Sequence, residues 1–261
     1  MLRELNNFPG WVPTIRDNSC ILVVGASGGI GKSLVKMMLK SNVNIGCHFA
    51  TNKESLKEFE CFENVSFFPK IFSNSSDCQS LIEEFYQWRN KIDALVVLSG
   101  GIKNPVHWEQ MSDTDWEADI FLNLSVPFYL AQAAIKKMKE LKTPGKIILI
   151  GTESALHGGG AFSMAYGVAK MGIECLVKGL ARDVAKYGIL VNGIRPGFIL
   201  SGFHQRWQRK KDVDLEKRVE LIPLKRPGYP EEVSALILYL LSDWANFITG
   251  QMFSIGGGDW L

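Results

Sequence analysis

The sequence predicts an α/β fold: a single doubly wound domain built on a parallel sheet of about seven strands. Three observations support this prediction. From residue 20 onward, short apolar runs alternate with longer amphipathic segments, as strands and helices do in βαβ units. A glycine-rich stretch joins the first apolar run to the first amphipathic segment. The 261 residues, 46% apolar and 21% charged, are enough for one large core.

The first half of the chain supplies four predicted strands. The apolar run CILVVG, which starts at Cys20, is typical of a strand buried on both faces, and GIGKSLVKMMLKS follows it as a helix. VNIGCHF and VSFFP are the next strands, separated by the short helix NKESLKEFE. The helix SDCQSLIEEFYQWRN then leads into the fourth strand, DALVVLSG. Such alternation predicts parallel strands joined by right-handed crossovers.

The second half supplies three more predicted strands. It begins with a long helix that is capped near Ser112 and kinked at Pro127. GKIILIG is the fifth strand, and the long helical stretch 161–188 follows it. ILVNGIRPG is the sixth strand, EEVSALILYLLSD a helix and QMFSIG the last strand.

Two segments fall outside this rhythm and define the domain organisation. Residues 1–18 have no clear period, and we interpret them as an N-terminal arm that docks on the domain or on a partner subunit. We expect residues 19–261 to form one domain. Within it, the insertion at about 201–228 is long, charged and partly helical, which is typical of a lid over a site.

Composition and charge exclude several classes of partner. The net charge of +2 gives no electrostatic case for nucleic acid or for a membrane. The five cysteines are scattered, without a CxxC pair, which favours reduced thiols in the cytoplasm over a disulfide framework or a metal site. MLRELNNFPG lacks the apolar core of a signal peptide, and no apolar run is expected to reach the length of a membrane span.

The glycine-rich stretch VVGASGGIGKS is suited to a dinucleotide. Glycines let the backbone approach a pyrophosphate, and the helix N-terminus supplies N–H groups and a partial positive charge. The spacing Gly25-x-x-x-Gly29-x-Gly31 differs from the common G-x-G-x-x-G fingerprint. The candidate cofactor-binding residues of this loop are Gly25, Ser27, Gly28, Gly29, Ile30 and Gly31.

The same loop supports a competing hypothesis, an NTPase. Ala26-x-x-x-x-Gly31-Lys32-Ser33 resembles a phosphate loop with Ala in place of the first Gly. Such enzymes usually also place an Asp at the end of an apolar strand to hold magnesium. The candidate strand DALVVLSG has its Asp at the start instead, so the NTPase is the weaker hypothesis.

Tyr166 and Lys170 lie four residues apart on a predicted helix, so the phenol and the ammonium share one face. A phenol has a pKa of about 10, which a nearby cation lowers. A Tyr tuned in this way can protonate a carbonyl oxygen or deprotonate an alcohol.

Taken in order, GASGGIG, YGVAK, VNGIRPGFILSG and ITGQMFSIGGG resemble the landmarks of the short-chain dehydrogenase/reductase family over residues 20–258. The resemblance implies a Rossmann-like fold and an oxidoreductase that passes hydride between a nicotinamide and a carbonyl or alcohol substrate. It places the chain near the 3-oxoacyl-carrier-protein reductases and the sugar or alcohol dehydrogenases. It also implies a homodimer or homotetramer formed through helices 112–140 and 162–187.

The resemblance implies four catalytic positions. Tyr166 is the acid/base, Lys170 lowers the Tyr pKa and binds the nicotinamide ribose, and Asn123 holds a water in the proton relay. The fourth is a hydroxyl that polarises the carbonyl; the family's Ser thirteen residues before the Tyr is Glu153 here. Ser154 is favoured as the commoner residue type, and Thr152, which follows the strand end, stays open as the alternative.

The resemblance also implies cofactor contacts after the fourth and sixth strands. The family's Asn-Asn-Ala-Gly is Val97-Leu98-Ser99-Gly100 here, and its Asp after the third strand has no match in FFPKIFS. A catalytically silent dinucleotide-binding or scaffold protein is therefore the alternative function. The implied contacts are Ser99, Gly100, Tyr166, Lys170, Pro196, Gly197, Ile199 and Ser201.

The end of the second strand decides between NADP and NAD. NAD-specific members carry an acidic residue there for the ribose 2′-hydroxyl. Neither Phe49 nor Ala50 is acidic, whereas Thr51, Asn52 and Lys53 are suited to a 2′-phosphate. The sequence therefore favours NADP, with NAD as the alternative.

Overall fold

The computed structural model describes residues 13–207 and 212–259. Its seven strands are β1 (Cys20–Val24), β2 (Asn44–Phe49), β3 (Val65–Pro69), β4 (Ala94–Val97), β5 (Gly145–Ile150), β6 (Ile189–Pro196) and β7 (Met252–Ile255). They form one sheet in the order β3-β2-β1-β4-β5-β6-β7, and every neighbouring pair is parallel. The predicted fold class is confirmed.

Helices cover both faces of this sheet, as the continuous apolar runs of its strands require. They are α1 (Gly29–Met38), α2 (Ser75–Arg89), α3 (Asp113–Ile120), α4 (Val126–Leu141), α5 (Met164–Val184), α6 (Phe203–Trp207), α7 (Asp212–Glu220) and α8 (Pro230–Leu241). One apolar core joins the sheet to α1 and α8. A second core, on the opposite face, joins it to α2, α4 and α5.

The strand order places β1 beside both β2 and β4, so the connections diverge there to opposite sides of the sheet. Ligands of doubly wound sheets bind in the crevice that such a reversal opens at the carboxyl ends of the strands. Both sequence segments singled out for chemistry, the glycine loop after β1 and the turn after β5, lie at this edge.

The predicted long helix begins at Ser112, whose hydroxyl accepts a hydrogen bond from Asp115 N at 3.1 Å. Between α3 and α4 it continues as a π-helical turn, Phe121–Ser125, rather than as a simple proline kink. Pro127 cannot donate the N–H that the Asn123 carbonyl would accept in an α-helix, which accounts for the altered turn. Such π-turns are frequent at functional sites.

Among the described residues, the helical run Asp113–Leu141 is long and apolar enough to cross a membrane by length and composition alone. An 18-residue window within it has a mean hydropathy of 1.3. The expectation that no segment reaches this length is therefore wrong for this run. It is weak evidence for a membrane, because the core helix of a soluble protein passes the same test. Here α4 packs on β4, β5 and α2 within the domain.

The two segments outside the strand–helix rhythm are described only in part. Residues 1–12 of the predicted arm lie outside the described residues. Of its remainder, Ile15 is buried in the core and Arg16 lies 3.2 Å from Asp243. In the predicted lid, α6 and α7 are described, whereas residues 208–211 are not.

Candidate active site

A cleft of about 1040 Å³ opens at the carboxyl ends of β4, β5 and β6. Its size suits a small-molecule or cofactor site. Of the residues predicted from sequence, it brings together Ile30, Ser99, Gly100, Thr152, Ser154, Tyr166, Lys170, Pro196, Gly197, Ile199 and Ser201.

The glycine loop forms one border of this cleft, where Ile30 reaches its wall. Gly25 has φ +84°, and a Cβ there would lie 2.9 Å from Ser99 N. A Cβ on Gly31 would lie 2.4 Å from Gly25 O. The helix α1 starts next to this turn with Gly28 as its N-cap, no side-chain cap and no acidic residue in its first turn. Its first N–H groups are therefore available to an anion such as a pyrophosphate.

The side chain that an NTPase would need points elsewhere. The Lys32 ammonium forms an ion pair with Glu58, with 2.7 Å between Nζ and Oε1. The hydroxyl of Ser33, which would hold magnesium, is buried in the body of the domain. The loop thus offers backbone groups rather than a phosphate-loop lysine.

The end of β4 carries a signal for a ligand. The Ser99 hydroxyl is buried in the cleft wall and has no hydrogen-bond partner among the described residues. A buried hydroxyl without a partner is costly, so a ligand that bonds it is favoured. The hydroxyl, the bare backbone of Gly100 and the anion-binding end of α1 together fit a nicotinamide dinucleotide.

His48 supports the glycine loop from below, a role that sequence analysis missed. Gly25 N donates to its Nδ1 at 3.2 Å, and its Nε2 lies 2.9 Å from Lys70 O. With Nδ1 accepting, the proton is on Nε2 and is donated to the Lys70 carbonyl. Burial lowers the pKa of His48 to about 4, so the ring is neutral at physiological pH. Only the tertiary contact between the ends of β1, β2 and β3 reveals this role.

The residues predicted to bind a 2′-phosphate lie on the surface beyond the cleft lining. Thr51, Asn52 and Lys53 are all exposed. The Lys53 ammonium pairs with Glu60 at 3.0 Å, and Asn52 Oδ1 accepts from Ser55 N at 3.3 Å. The Ser55 hydroxyl in turn donates to Ser27 O at 3.2 Å, which ties this segment to the glycine loop.

Tyr166 and Lys170 lie on one face of α5 and point into the cleft, as their spacing predicts. They are only 8% and 1% exposed, respectively. The Lys170 ammonium nitrogen lies 5.8 Å from the centre of the Tyr166 ring and donates to Ile150 O at 3.0 Å. The phenol and the amine therefore converge at the end of β5.

Burial acts on both groups. It lowers the pKa of Lys170 to about 7. It also raises the pKa of the Tyr166 phenol, while a hydrogen bond with Thr152 lowers it and the charge of Asp119 raises it. Each group is driven toward its neutral form, because a low-polarity interior disfavours charge.

Thr152 and Ser154 are the two candidates for the hydroxyl that polarises the substrate carbonyl, and they occupy different positions in the turn after β5. Thr152 caps the 3₁₀ turn Glu153–His157, accepting from Ser154 N at 3.4 Å, and its hydrogen bond lowers the pKa of the Tyr166 phenol. Ser154 lies inside that turn, also in the cleft wall. This effect on the pKa of Tyr166 favours Thr152, and the choice between the two hydroxyls stays a prediction.

Asn123 is fully buried and holds the loop after β4. Its Nδ2 donates to Gly101 O at 2.8 Å and to Asp119 O at 2.9 Å, and its Oδ1 accepts from Gly101 N at 3.1 Å. Asp119, which sequence analysis missed, accepts from Lys103 N at 2.7 Å through Oδ1. The role of Asn123 in a proton relay stays a prediction, whereas its hydrogen bonds to Gly101 show that it holds the loop after β4.

The segment predicted as a lid faces the same cleft. The Phe203 ring on α6 lies 5.6 Å from the Tyr166 ring. Lys217 and Arg218 on α7 line the cleft, and Arg218 is ion-paired with Asp259 near the C-terminus. In the part of the chain that the structure describes, no group of three or more His, Cys, Asp or Glu side chains is placed to hold a metal.

The comparisons with known proteins agree with this geometry. A family model described as Enoyl-(Acyl carrier protein) reductase matches residues 25–259. The chain belongs to the short-chain dehydrogenase/reductase family. It is therefore an NAD(P)-dependent oxidoreductase that acts on a small-molecule substrate.

Curated relatives span nearly the whole chain. The 3-oxoacyl-[acyl-carrier-protein] reductase of Rickettsia felis is 33% identical over 242 residues, covering 91% of this chain and 95% of the relative. That of Buchnera aphidicola subsp. Acyrthosiphon pisum is 31% identical over 238 residues, covering 90% and 95%. A probable 2,4-dienoyl-CoA reductase of Bacillus subtilis is 30% identical over 253 residues, covering 94% and 98%.

Solved structures support the same fold. The crystal structure of gox2181 has a TM-score of 0.85 at 24% identity and covers 94% of this chain and 96% of its own. A short-chain type dehydrogenase/reductase from Mycobacterium ulcerans has a TM-score of 0.84 at 23% identity, with coverage of 94% and 90%.

Proposed function

We propose that this member of the family is an NADPH-preferring reductase of a carbonyl group, with Tyr166 as its acid/base. The observation that supports this best is the convergence of the Tyr166 phenol, the Lys170 amine and the Thr152 hydroxyl in one buried cleft. A general acid must lie within hydrogen-bond reach of the oxygen it protonates, and a site beside both hydroxyls meets that condition.

In this mechanism Thr152 donates a hydrogen bond to the substrate carbonyl oxygen. Tyr166 then transfers its phenolic proton to that oxygen as negative charge develops there. Lys170, when protonated, stabilises the phenolate that remains. The backbone of the glycine loop, the N-terminus of α1, Ser99 and the segment Pro196–Ser201 would hold NADP(H). When bound, the reduced nicotinamide supplies the hydride that reaches the carbonyl carbon.

For the substrate class we propose a 3-oxoacyl thioester. The named relatives are reductases of acyl-carrier-protein and CoA compounds. Around Tyr166, the cleft wall includes the apolar side chains of Pro105, Phe162, Phe203 and Leu221. Such a wall suits an acyl chain, since burial of apolar surface favours binding. The proposed catalytic groups Tyr166, Lys170 and Thr152 are all present and line the same cleft. Nothing at these three positions therefore favours the alternative of a catalytically silent protein.

We further propose a cytoplasmic homodimer or homotetramer without nucleic-acid or membrane partners. The cysteines are all free, consistent with a reducing compartment. Exposed apolar side chains on α5 offer a surface for a second copy.

The cofactor preference gives the first prediction. NADPH should bind at least about tenfold more tightly than NADH, because Thr51, Asn52 and Lys53 offer donors to a 2′-phosphate and neither Phe49 nor Ala50 is acidic. Ala50→Asp should weaken NADPH binding and leave NADH binding nearly unchanged or improved, with Ala50→Ser as the uncharged control. Calorimetric titration of both cofactors, followed by reduction of a 3-oxoacyl thioester, is the measurement. Equal or tighter binding of NADH by the wild-type protein would contradict the preference.

A further inference from the structure

An ion network lies directly behind the proposed catalytic groups. Arg195, on β6, donates from Nε to Glu153 Oε1 at 3.2 Å and from Nη1 to Glu174 Oε1 at 2.9 Å. All three side chains are largely buried. Glu153 occupies the position that counting back from Tyr166 gives for the family's catalytic Ser. Nothing in the sequence alone explains a carboxylate there.

The two carboxylates belong to the two elements that must meet for catalysis. Glu153 directly follows Thr152 and begins the 3₁₀ turn that Thr152 caps. Glu174 lies on α5, four residues beyond Lys170 and eight beyond Tyr166, so these three residues share one face of the helix. Arg195 therefore connects the hydroxyl-bearing turn to the catalytic helix through two separate arms of one guanidinium.

We propose that Arg195 is a positioning residue that, through Glu153 and Glu174, fixes the Thr152 hydroxyl against the Tyr166 phenol. This inference rests on the proposed function, in which those two hydroxyls act on the substrate oxygen. A planar guanidinium presents its donors in a fixed fork, so it sets both the distance and the angle between its partners. An ammonium cannot do this, because it is a single point charge on a flexible stem.

The geometry has a consequence for the acidity of Tyr166. Burial raises the pKa of the Tyr166 phenol most, a hydrogen bond with Thr152 lowers it, and the charge of Asp119, on α3 packed against α5, raises it. Lys170, on the same helix, places its ammonium nitrogen 5.8 Å from the centre of the ring. The Thr152 bond lowers the pKa of Tyr166. Displacing Thr152 therefore raises that pKa, and it also moves the carbonyl polariser away from the substrate.

The test uses Arg195→Lys, which keeps the charge but loses the fork, and Glu153→Gln, which keeps the shape but loses one charge. Lys137→Met is the matched control, since Lys137 is 17% exposed against 18% for Arg195 and pairs with Glu83 at 2.9 Å between α4 and α2, outside the cleft lining. For each variant we would measure melting temperature, kcat, KM for NADPH, and the pH–rate profile of alcohol oxidation.

For Arg195→Lys we expect kcat to fall by about tenfold to a hundredfold, since misplacement of a catalytic group by 1 Å has such an effect. KM for NADPH should stay within about twofold. The limb of the oxidation profile that reports Tyr166 deprotonation should move to higher pH. Glu153→Gln should lower kcat and move the limb of the pH profile to higher pH, in each case by less than Arg195→Lys does. Lys137→Met should change neither kcat nor the pH profile.

A purely structural role predicts a different pattern. It lowers the melting temperature and the folded fraction, yet kcat per folded molecule and the pH profile match those of the wild type. That result for Arg195→Lys and Glu153→Gln would overturn the inference. Failure of the proposed function is distinct, because Tyr166→Phe would then retain activity whatever the Arg195 variants do. If Arg195→Lys does not fold, Glu153→Gln decides the question by the same criteria.

Discussion

At the scale of single residues, burial and charge act against each other at Tyr166 and Lys170. Burial alone lowers the pKa of Lys170 to about 7 and raises the pKa of Tyr166. The cation that should make Tyr166 more acidic is thus only partly present at neutral pH. Because this cation is only partly present, the hydrogen bond from Thr152 becomes a main factor that lowers the pKa of Tyr166.

The contact between Thr152 and Tyr166 gives a prediction that separates the two candidate hydroxyls. Thr152→Val keeps the shape of the side chain and removes the donor, so kcat should fall by about a hundredfold, the usual effect of losing one oxyanion donor. Ser154→Ala, the control two residues away, should stay within about threefold of the wild type. Steady-state kinetics on a 3-oxoacyl thioester is the measurement. The opposite ranking would assign the role to Ser154.

Sequence reasoning located the residues whose roles depend on local spacing. The Tyr166 and Lys170 side chains converge because i and i+4 share a helix face. His48, Asp119 and Glu153 were missed because their roles depend on burial and on partners distant in sequence, such as Gly25 for His48. The choice between Thr152 and Ser154 needed the same information, since both lie within one residue of the expected position.

At the scale of elements, the glycine loop is supported by the strand next to it. His48 gives the loop two hydrogen-bond acceptors: its Nδ1 accepts from Gly25 N, and its backbone carbonyl accepts from Ala26 N at 2.9 Å. The ring also stacks on Phe72, with 4.8 Å between centres. The glycine loop, which we propose binds the pyrophosphate, is therefore pre-organised by β2 and by the segment after β3.

This support predicts a sensitivity to acid. The folded-state pKa of His48 is about 4 against an ordinary value of 6.5, so the unfolded chain binds more protons between these values. Stability is therefore lost as the pH falls from 6.5 toward 4, by up to about 3 kcal/mol. His48→Asn keeps an acceptor for Gly25 N but does not titrate, and its melting temperature should fall less over this range. Equal pH dependence in the two proteins would contradict the role.

His48→Leu complements that comparison. It leaves the Gly25 N–H without an acceptor, which costs about 1–3 kcal/mol and disorders the loop. NADPH should bind roughly tenfold more weakly to this variant, while His48→Asn should bind it nearly as the wild type does. Calorimetric titration at neutral pH is the measurement, and unchanged binding by His48→Leu would contradict the positioning of the loop.

The order of the strands and helices was predicted from the sequence, whereas the irregular turn between α3 and α4 was not. Alternating apolar runs predicted all seven strands because parallel strands buried on both faces are continuously apolar. The cap at Ser112 was predicted from its residue type. The π-helical turn Phe121–Ser125 was not, since a proline in a helix predicts an interruption of the hydrogen bonds but not the kind of turn that replaces them.

At the scale of the whole molecule, exposed apolar side chains of the described residues include two groups on or beside the outer helices. On α5, the exposed side chains Val168, Met171 and Cys175 are spaced three and four residues apart and form an outward stripe. At the end of α8 and beyond it, Tyr239, Trp244 and Phe247 are also exposed. Exposed apolar groups of this kind mark interfaces, and the α5 stripe lies on the helix that carries Tyr166.

The stripe predicts how copies associate. Met171→Asp should reduce the assembly to a smaller species, because a charge is then placed in the centre of an apolar contact. Ile71→Asp, at an exposed apolar residue on the loop after β3, should not change the assembly. Light scattering coupled to size-exclusion chromatography is the measurement. A monomeric wild-type protein at micromolar concentration would contradict the predicted dimer or tetramer.

The central claim, that Tyr166 protonates the substrate oxygen, is tested most directly by Tyr166→Phe in a single turnover. The substitution keeps the ring and its packing on Phe203 and removes only the proton donor. Tyr129→Phe, on α4 away from the cleft, is the matched control. With NADPH and a 3-oxoacyl thioester, the account predicts that Tyr166→Phe binds NADPH normally and transfers hydride at least about a hundredfold more slowly than the wild type and the control. A Tyr166→Phe rate close to that of the wild type would contradict it.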